Sequence, residues 1–247
     1  MNLHKTLIIT LLLTTFSFNV QALKDNFDIP ELNIKKLKAL SLWATYYHIW
    51  HTKTQDKGMP LLDKNNNKIS ANISLNDWCK GAIQGTILIT SKTGKRHLFN
   101  YQDHQGKQQV DCAKVMNINP SWIGASGKTR YRLAQGAFGD GVKNYKLTPY
   151  RTIAVDKKKI PYGSVLYIPK ARGVSITLPS GQKIKHDGYF FAGDTGGAIK
   201  KQHIDVFMGL SPKNIFAHFI KNTPKKPFKA YIVKQQNVIN QLRDLHH

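Results

Sequence analysis

Residues 188–209 read GYFFAGDTGGAIKKQHIDVFMG, an apolar run ending in Asp194, a glycine-rich turn, and a second apolar run broken by Asp205. Working outward, RTIAVD at 151–156 ends another apolar run on Asp156, and IPYGSVLYIP follows at 160–169. A carboxylate at the end of a buried strand is costly unless it is hydrogen-bonded or used. Three of them within one short segment therefore point to a site. The plainer alternative for Asp156 and Asp194 is that they bond turn amides. Gly196 and Gly197 permit both a tight turn and close backbone approach by a ligand.

The flanking pattern is one of short strands and tight turns. Strands are expected at 152–155, 165–168, 189–192, 204–208 and 228–233, with a hairpin at 174–185 around Pro179-Ser180-Gly181. Ser211 with Pro212 predicts a helix over 214–221, and a polar helix is expected over 235–245. Many short strands with few helices imply a closed barrel. Upstream, the aromatic run 42–50 reads as a strand whose rings serve as core or stack on sugars. Ser74 caps a helix that carries Asp77 in its first turn and ends at Gly85. A hairpin follows at 86–101, and 117–130 reads as a connector.

Several motifs are set aside on their chemistry. The stretch from Asp63 resembles a calcium loop, but Lys68 stands where Gly is needed and Ser74 where Glu is needed, so it reads as a hairpin turn. His48 and His51 lack further ligands in pattern, and no metal is expected. The glycine-rich loop 137–142 lacks the Lys-Ser/Thr of a phosphate loop. Its Asp140 is a turn residue or a fourth site carboxylate. One Asp-Thr-Gly falls short of the two that an aspartic protease dyad requires.

The chain has 247 residues and a formal net charge of +23. A basic start, the apolar run 6–18 and Val20-Gln21-Ala22 read as a secretory signal peptide, residues 1–22, cleaved after Ala22. The protein is thus expected to be exported, periplasmic or secreted, with no transmembrane span. Such a charge raises nucleic acid as a partner; export argues against it and leaves anionic cell-wall polymers, or solubility alone. Cys79 and Cys112, 33 residues apart, read as one disulfide. A catalytic thiol is the alternative, but neither cysteine sits in a nucleophile motif.

The combined motif AVD…IPYG…DTGGAIK…HIDVF resembles the three-aspartate domain, and through it the catalytic barrel of the lytic transglycosylase A family. The resemblance implies a mainly β protein built on a six-stranded double-psi β-barrel over about residues 130–234. The domains would be an α+β extension at 23–126, the barrel domain at 127–234 and a helix at 235–247. It further implies cleavage of peptidoglycan glycan strands between N-acetylmuramic acid and N-acetylglucosamine, leaving 1,6-anhydromuramoyl ends. Asp205 would be the catalytic acid and base, with Asp194 and Asp156 beside it. Thr195, Gly196, Gly197, Lys200 and His203 would contact substrate. No cofactor is implied, and the chain is expected to act as a monomer. Lys201 stands where the family has Gly. The rival reading is a non-catalytic, expansin-like wall-binding barrel.

Overall fold

The structure, a computed structural model, describes residues 27–247; the expected signal peptide lies outside the described residues. In chain order the elements are β1 (Leu40–Tyr47), β2 (Trp50–Lys53), α1 (Leu75–Gln84), β3 (Thr86–Thr90), β4 (Arg96–Asp103), α2 (Cys112–Met116), α3 (Ile123–Ser126) and β5 (Arg130–Leu133). There follow β6 (Thr152–Ala154), β7 (Val165–Tyr167), β8 (Ser175–Thr177), β9 (Lys183–Lys185), β10 (Tyr189–Asp194), β11 (His203–Phe207), β12 (Phe228–Ile232) and α4 (Gln236–Asp244). Among the described residues no helix is long and apolar enough to cross a membrane.

Six strands close into a barrel in the order β1-β11-β6-β10-β7-β12. Alternate side chains fill it, because successive residues of a strand face opposite ways. Leu42 and Ala44, Ile153, Leu166, Phe190 and Ala192, Ile204 and Val206, and Phe228 and Ala230 share one buried cluster. The mainly β architecture and closed six-stranded barrel expected from the pattern are present. The placement of β1 is a correction: the barrel does not lie wholly within 130–234, because residues 40–47 supply a strand between β11 and β12. The aromatic run 42–50 also divides. Its first part is barrel, and Trp50 begins β2 in a second sheet.

That second sheet has the order β2-β3-β4-β5. One face, with Ile87, Ile89, Phe99 and Tyr131, packs on Trp78 and Cys79 of α1 and Cys112 of α2. The Cys79–Cys112 disulfide ties the two helices together. The helix expected after Ser74 forms as read, with the Asp77 amide donating to the Ser74 hydroxyl and Gly85 left-handed at its end. From the other face Leu88 and Leu98, with Ile49, meet Tyr47, Ala154, Ile199 and Phe207 on the outside of the barrel. Barrel and sheet therefore share an apolar seam.

Two further expectations are corrected. Residues 214–221 form turns rather than a helix. The Asn214 side chain takes the Phe216 amide and donates to the Ile220 carbonyl, an alternative to helical bonding. Phe216, Phe219 and Ile220 can then all enter the barrel core. The connector 117–130 holds α3, and β5 beyond it pairs with β4 rather than with the barrel. Asp140 is a turn residue: buried, it accepts from the amides of Gln135 and Gly136 and pairs with Arg132.

Candidate active site

The site is built on the outer face of the barrel, beside the seam. In β11, Ile204 and Val206 point inward, so His203, Asp205 and Phe207 point outward. In β1 the same alternation turns Trp43, Thr45 and Tyr47 outward. The parallel register sets Trp43 against His203, Thr45 against Asp205 and Tyr47 against Phe207. On the other side of β11, Asp205 lies opposite Ala154 of β6.

Asp194 reaches the same face through a bulge. Strict alternation after Ala192, an inward residue, would turn Gly193 outward and Asp194 into the core. Instead Ala192 pairs with Ile153 and Asp194 with the next residue, Ala154, so Gly193 is an extra residue in β10. Bulges re-aim side chains in this way. Ala154 thus has an aspartate on each neighbouring strand. Gly193 suits the bulge: a Cβ there would stand 3.1 Å from the Phe191 ring and 3.3 Å from Thr152.

Both carboxyls are half-buried and hydrogen-bonded from β1. The Thr45 hydroxyl lies 2.7 Å from Asp205 Oδ1, and the Tyr47 hydroxyl donates to Asp194 Oδ2 at 2.7 Å. The Thr195 amide donates to Asp194 Oδ1. Burial pushes Asp205 up to about 7, with the nearby Asp194 adding to the shift and the Thr45 bond opposing it. Burial pushes Asp194 up to about 6, against the bonds from Tyr47 and Thr195. The Tyr47 phenol is held well above its usual range, first by burial and then by Asp194, and stays a donor.

His203 extends this network. Its ring stacks on Trp43 with centroids 3.6 Å apart and planes within 5°. Nε2 lies 2.8 Å from the Thr45 hydroxyl, and Nδ1 lies 3.4 Å from the Ala198 carbonyl. Burial lowers the imidazole pKa, which favours the neutral ring. A carbonyl can only accept, so it selects the tautomer with the proton on Nδ1 and leaves Nε2 an acceptor. Thr45 has one proton. If it donates to His203, its oxygen must accept from Asp205, which requires the protonated carboxyl. When Asp205 ionises, the hydroxyl turns to it instead.

The third aspartate is placed apart. Asp156 accepts from the backbone amides of Lys158 and Lys201 and binds turns, the plainer of its two expected roles. Those bonds, first that from Lys201, hold its carboxyl below the usual range. Lys200 is exposed and acts on Asp156, not on the raised pair. Thr195 is exposed, with its hydroxyl 3.4 Å from the Val155 carbonyl. Gly196 is packed closely, since a Cβ would stand 2.8 Å from Ile199 Cγ1, whereas Gly197 faces open space. Lys201 has φ of 57°, the left-handed conformation that favours Gly. Among the described residues no three of His, Cys, Asp and Glu group closely enough to hold a metal ion.

Sequence reading offered Trp43 and Tyr47 only as core or sugar-stacking rings and missed Thr45. Their alternation with Leu42, Ala44 and Tyr46 was visible; their partners, about 160 residues away, were not.

The chain is a mainly β protein built on a closed six-stranded barrel. Residues 151–216 match the 3D domain family. No curated protein matches the chain. Among solved structures, the fold is shared with the membrane-bound lytic murein transglycosylase from Agrobacterium tumefaciens, at a TM-score of 0.50 and 14% identity over 83% of this chain and 77% of that one. E. coli MltA with bound chitohexaose gives 0.48 and 17%, over 78% and 71%. LtgG, the lytic transglycosylase of Burkholderia pseudomallei, gives 0.38 and 17%, over 78% and 71%. The Agrobacterium likeness extends well beyond the 3D domain match.

Proposed function

We propose that the chain is an exported lytic transglycosylase that cleaves peptidoglycan glycan strands. The observation that carries this reading is Asp205, half-buried, bonded to Thr45, and poised near pH 7 beside a second carboxylate. A single group with that poise can act as acid and then as base. Protonated Asp205 gives its proton to the glycosidic oxygen as the bond to C1 breaks. The positive charge that develops on the sugar is offset by the carboxylates of Asp205 and Asp194. Asp205 then takes the proton of the C6 hydroxyl as that oxygen attacks C1. The new bond closes a 1,6-anhydro ring, and water is not consumed.

Thr45 serves both half-steps, because its hydroxyl can accept from the acid and donate to the base. Tyr47 keeps Asp194 charged within the working pH range. The Cys79–Cys112 disulfide supports an oxidising, extracytoplasmic compartment. The left-handed backbone at Lys201 is the conformation that a Gly there would also adopt, which supports an intact turn in an active barrel.

The test is digestion of purified sacculi by wild type and Asp205→Asn, with mass spectrometry of the released sugars. The expected result is 1,6-anhydro ends from wild type, falling at least about 10²-fold in the folded variant. Reducing ends would make the protein a hydrolase. Binding without release by the wild type would make it a wall-binding barrel.

A further inference from the structure

One end of the barrel carries a concentration of charge that the acid–base chemistry does not use. Four segments separated in sequence converge there on a groove of about 490 Å³: the start of β1, the turn after β6, the turn before β11 and the loop before β12. Each brings exposed lysines, namely Lys38 and the runs 157–159, 200–201 and 225–226. No ion pair joins any of these lysines to a carboxylate among the described residues. Lys159 and Lys201 line the groove, and no acidic residue does. The nearest carboxylate in sequence, Asp156, is taken up by backbone amides. The rest of the lining is largely apolar, with Ile160, Pro224, Pro227 and Trp43. The volume lies within the range of ordinary ligand pockets, roughly 300–1,000 Å³.

The groove adjoins the proposed acid. Trp43 lines it and also stacks on His203, which bonds to Thr45, which bonds to Asp205. A sugar held at Asp205 would therefore project a substituent along β1 toward this groove. An occupant must offer anionic groups for two ammonium ions and alkyl groups for the apolar floor. The substituent of a peptidoglycan strand with that chemistry is its acidic peptide stem.

We propose that the groove holds this peptide stem, its free carboxylates against Lys159 and Lys201 and its alkyl side chains on Ile160, Pro224 and Pro227. The proposal rests on the reading of the chain as a peptidoglycan-cleaving enzyme, and it makes the peptide part of what the site recognises.

The test is titration of the protein with a soluble N-acetylated stem tetrapeptide that carries no sugar, followed through the indole NH resonances in NMR. Wild type should bind, with the Trp43 resonance moving. The Lys159→Gln/Lys201→Gln double variant should bind roughly 3- to 10-fold more weakly, as expected for two exposed charges. Asp205→Asn should bind the peptide as the wild type does. Both lysines are exposed, so the double variant should fold, and its circular dichroism spectrum checks this. In parallel, the ratio of turnover on intact glycan to turnover on amidase-stripped glycan should exceed 1 for wild type and fall toward 1 in the double variant. Wild type that binds the peptide yet leaves sacculi intact would keep the groove and overturn the enzymatic reading. Wild type that cleaves sacculi but ignores the peptide would overturn the groove. Equal binding by the double variant, or tighter binding of a phosphodiester polymer than of the peptide, would also overturn it.

Discussion

Asp205→Asn should make the protein more stable at pH 8 while removing its chemistry. The carboxyl ionises near 3.8 in an unfolded chain and near 7 in the folded protein. Well below pH 3.8 both states hold the proton, and the group is neutral in its effect. As pH rises, the unfolded chain releases its proton first, so the wild type loses stability until the folded carboxyl also ionises near pH 7. Three pH units at about 1.36 kcal/mol each set a ceiling of about 4 kcal/mol. Asp205 is only half-buried, and solvent screening brings the expected gain for the variant to about 1–3 kcal/mol. Asn keeps an acceptor oxygen for the Thr45 hydroxyl, so the packing and that 2.7 Å bond survive. Denaturant unfolding of both proteins from pH 4 to pH 8 measures the difference. The two stabilities should differ by no more than about 0.5 kcal/mol at pH 4, diverge through pH 5 and 6, and hold a constant gap above pH 7. Equal stability at pH 8 would refute the raised carboxyl. A gap already complete at pH 4 would refute the linkage to its proton.

Tyr47→Phe removes the donor that holds Asp194 down against burial, so that carboxyl should titrate about one pH unit higher, the scale of a charged hydrogen bond; ¹³C NMR of the carboxyl reads the shift, and none would contradict the role. Turnover of sacculi should peak between pH 6 and pH 7, where Asp194 is ionised and Asp205 still protonated, and a pH–rate profile measures it. Lys201→Gly should stabilise by about 0.5 kcal/mol, and Lys201→Val should destabilise by about 1–2 kcal/mol, because the backbone there is left-handed; denaturant midpoints decide. Reducing the Cys79–Cys112 bridge should cost about 3–4 kcal/mol on the chain-entropy account of a 33-residue loop, seen in unfolding with and without reductant.

The segment around Asp194 and Asp205 was legible because its chemistry is local: apolar strand, glycine turn, apolar strand, each with one acid. The disulfide and the capped helix α1 were legible for the same reason. What stayed hidden depends on distant pairing or on one inserted residue. No neighbour of Thr45 signals that it will face Asp205. Simple alternation also points Asp194 the wrong way, since the bulge at Gly193 is set by pairing with β6. The 214–221 segment misled because Ser-Pro followed by apolar residues suits a helix, whereas filling the barrel end with Phe216 and Phe219 settled its conformation.

The position of β1 has a consequence for how the chain comes to be folded. Strand β1 is clasped between β11 and β12, the last two strands of the barrel in chain order, and its bonds to His203 and Asp205 span 158 and 160 residues. Contacts of such separation form slowly, since a long loop must close before they are rewarded. Until then β11 and β12 present open edges, the usual template for pairing with a neighbouring chain. Residues 151–216 expressed alone would carry β11 without the strand that covers it. Such a fragment should aggregate, and it would lack the two hydroxyls that hold its aspartates. The smallest autonomous unit is therefore a chain that begins before Leu40, and refolding should be fastest when dilution keeps exposed edges apart.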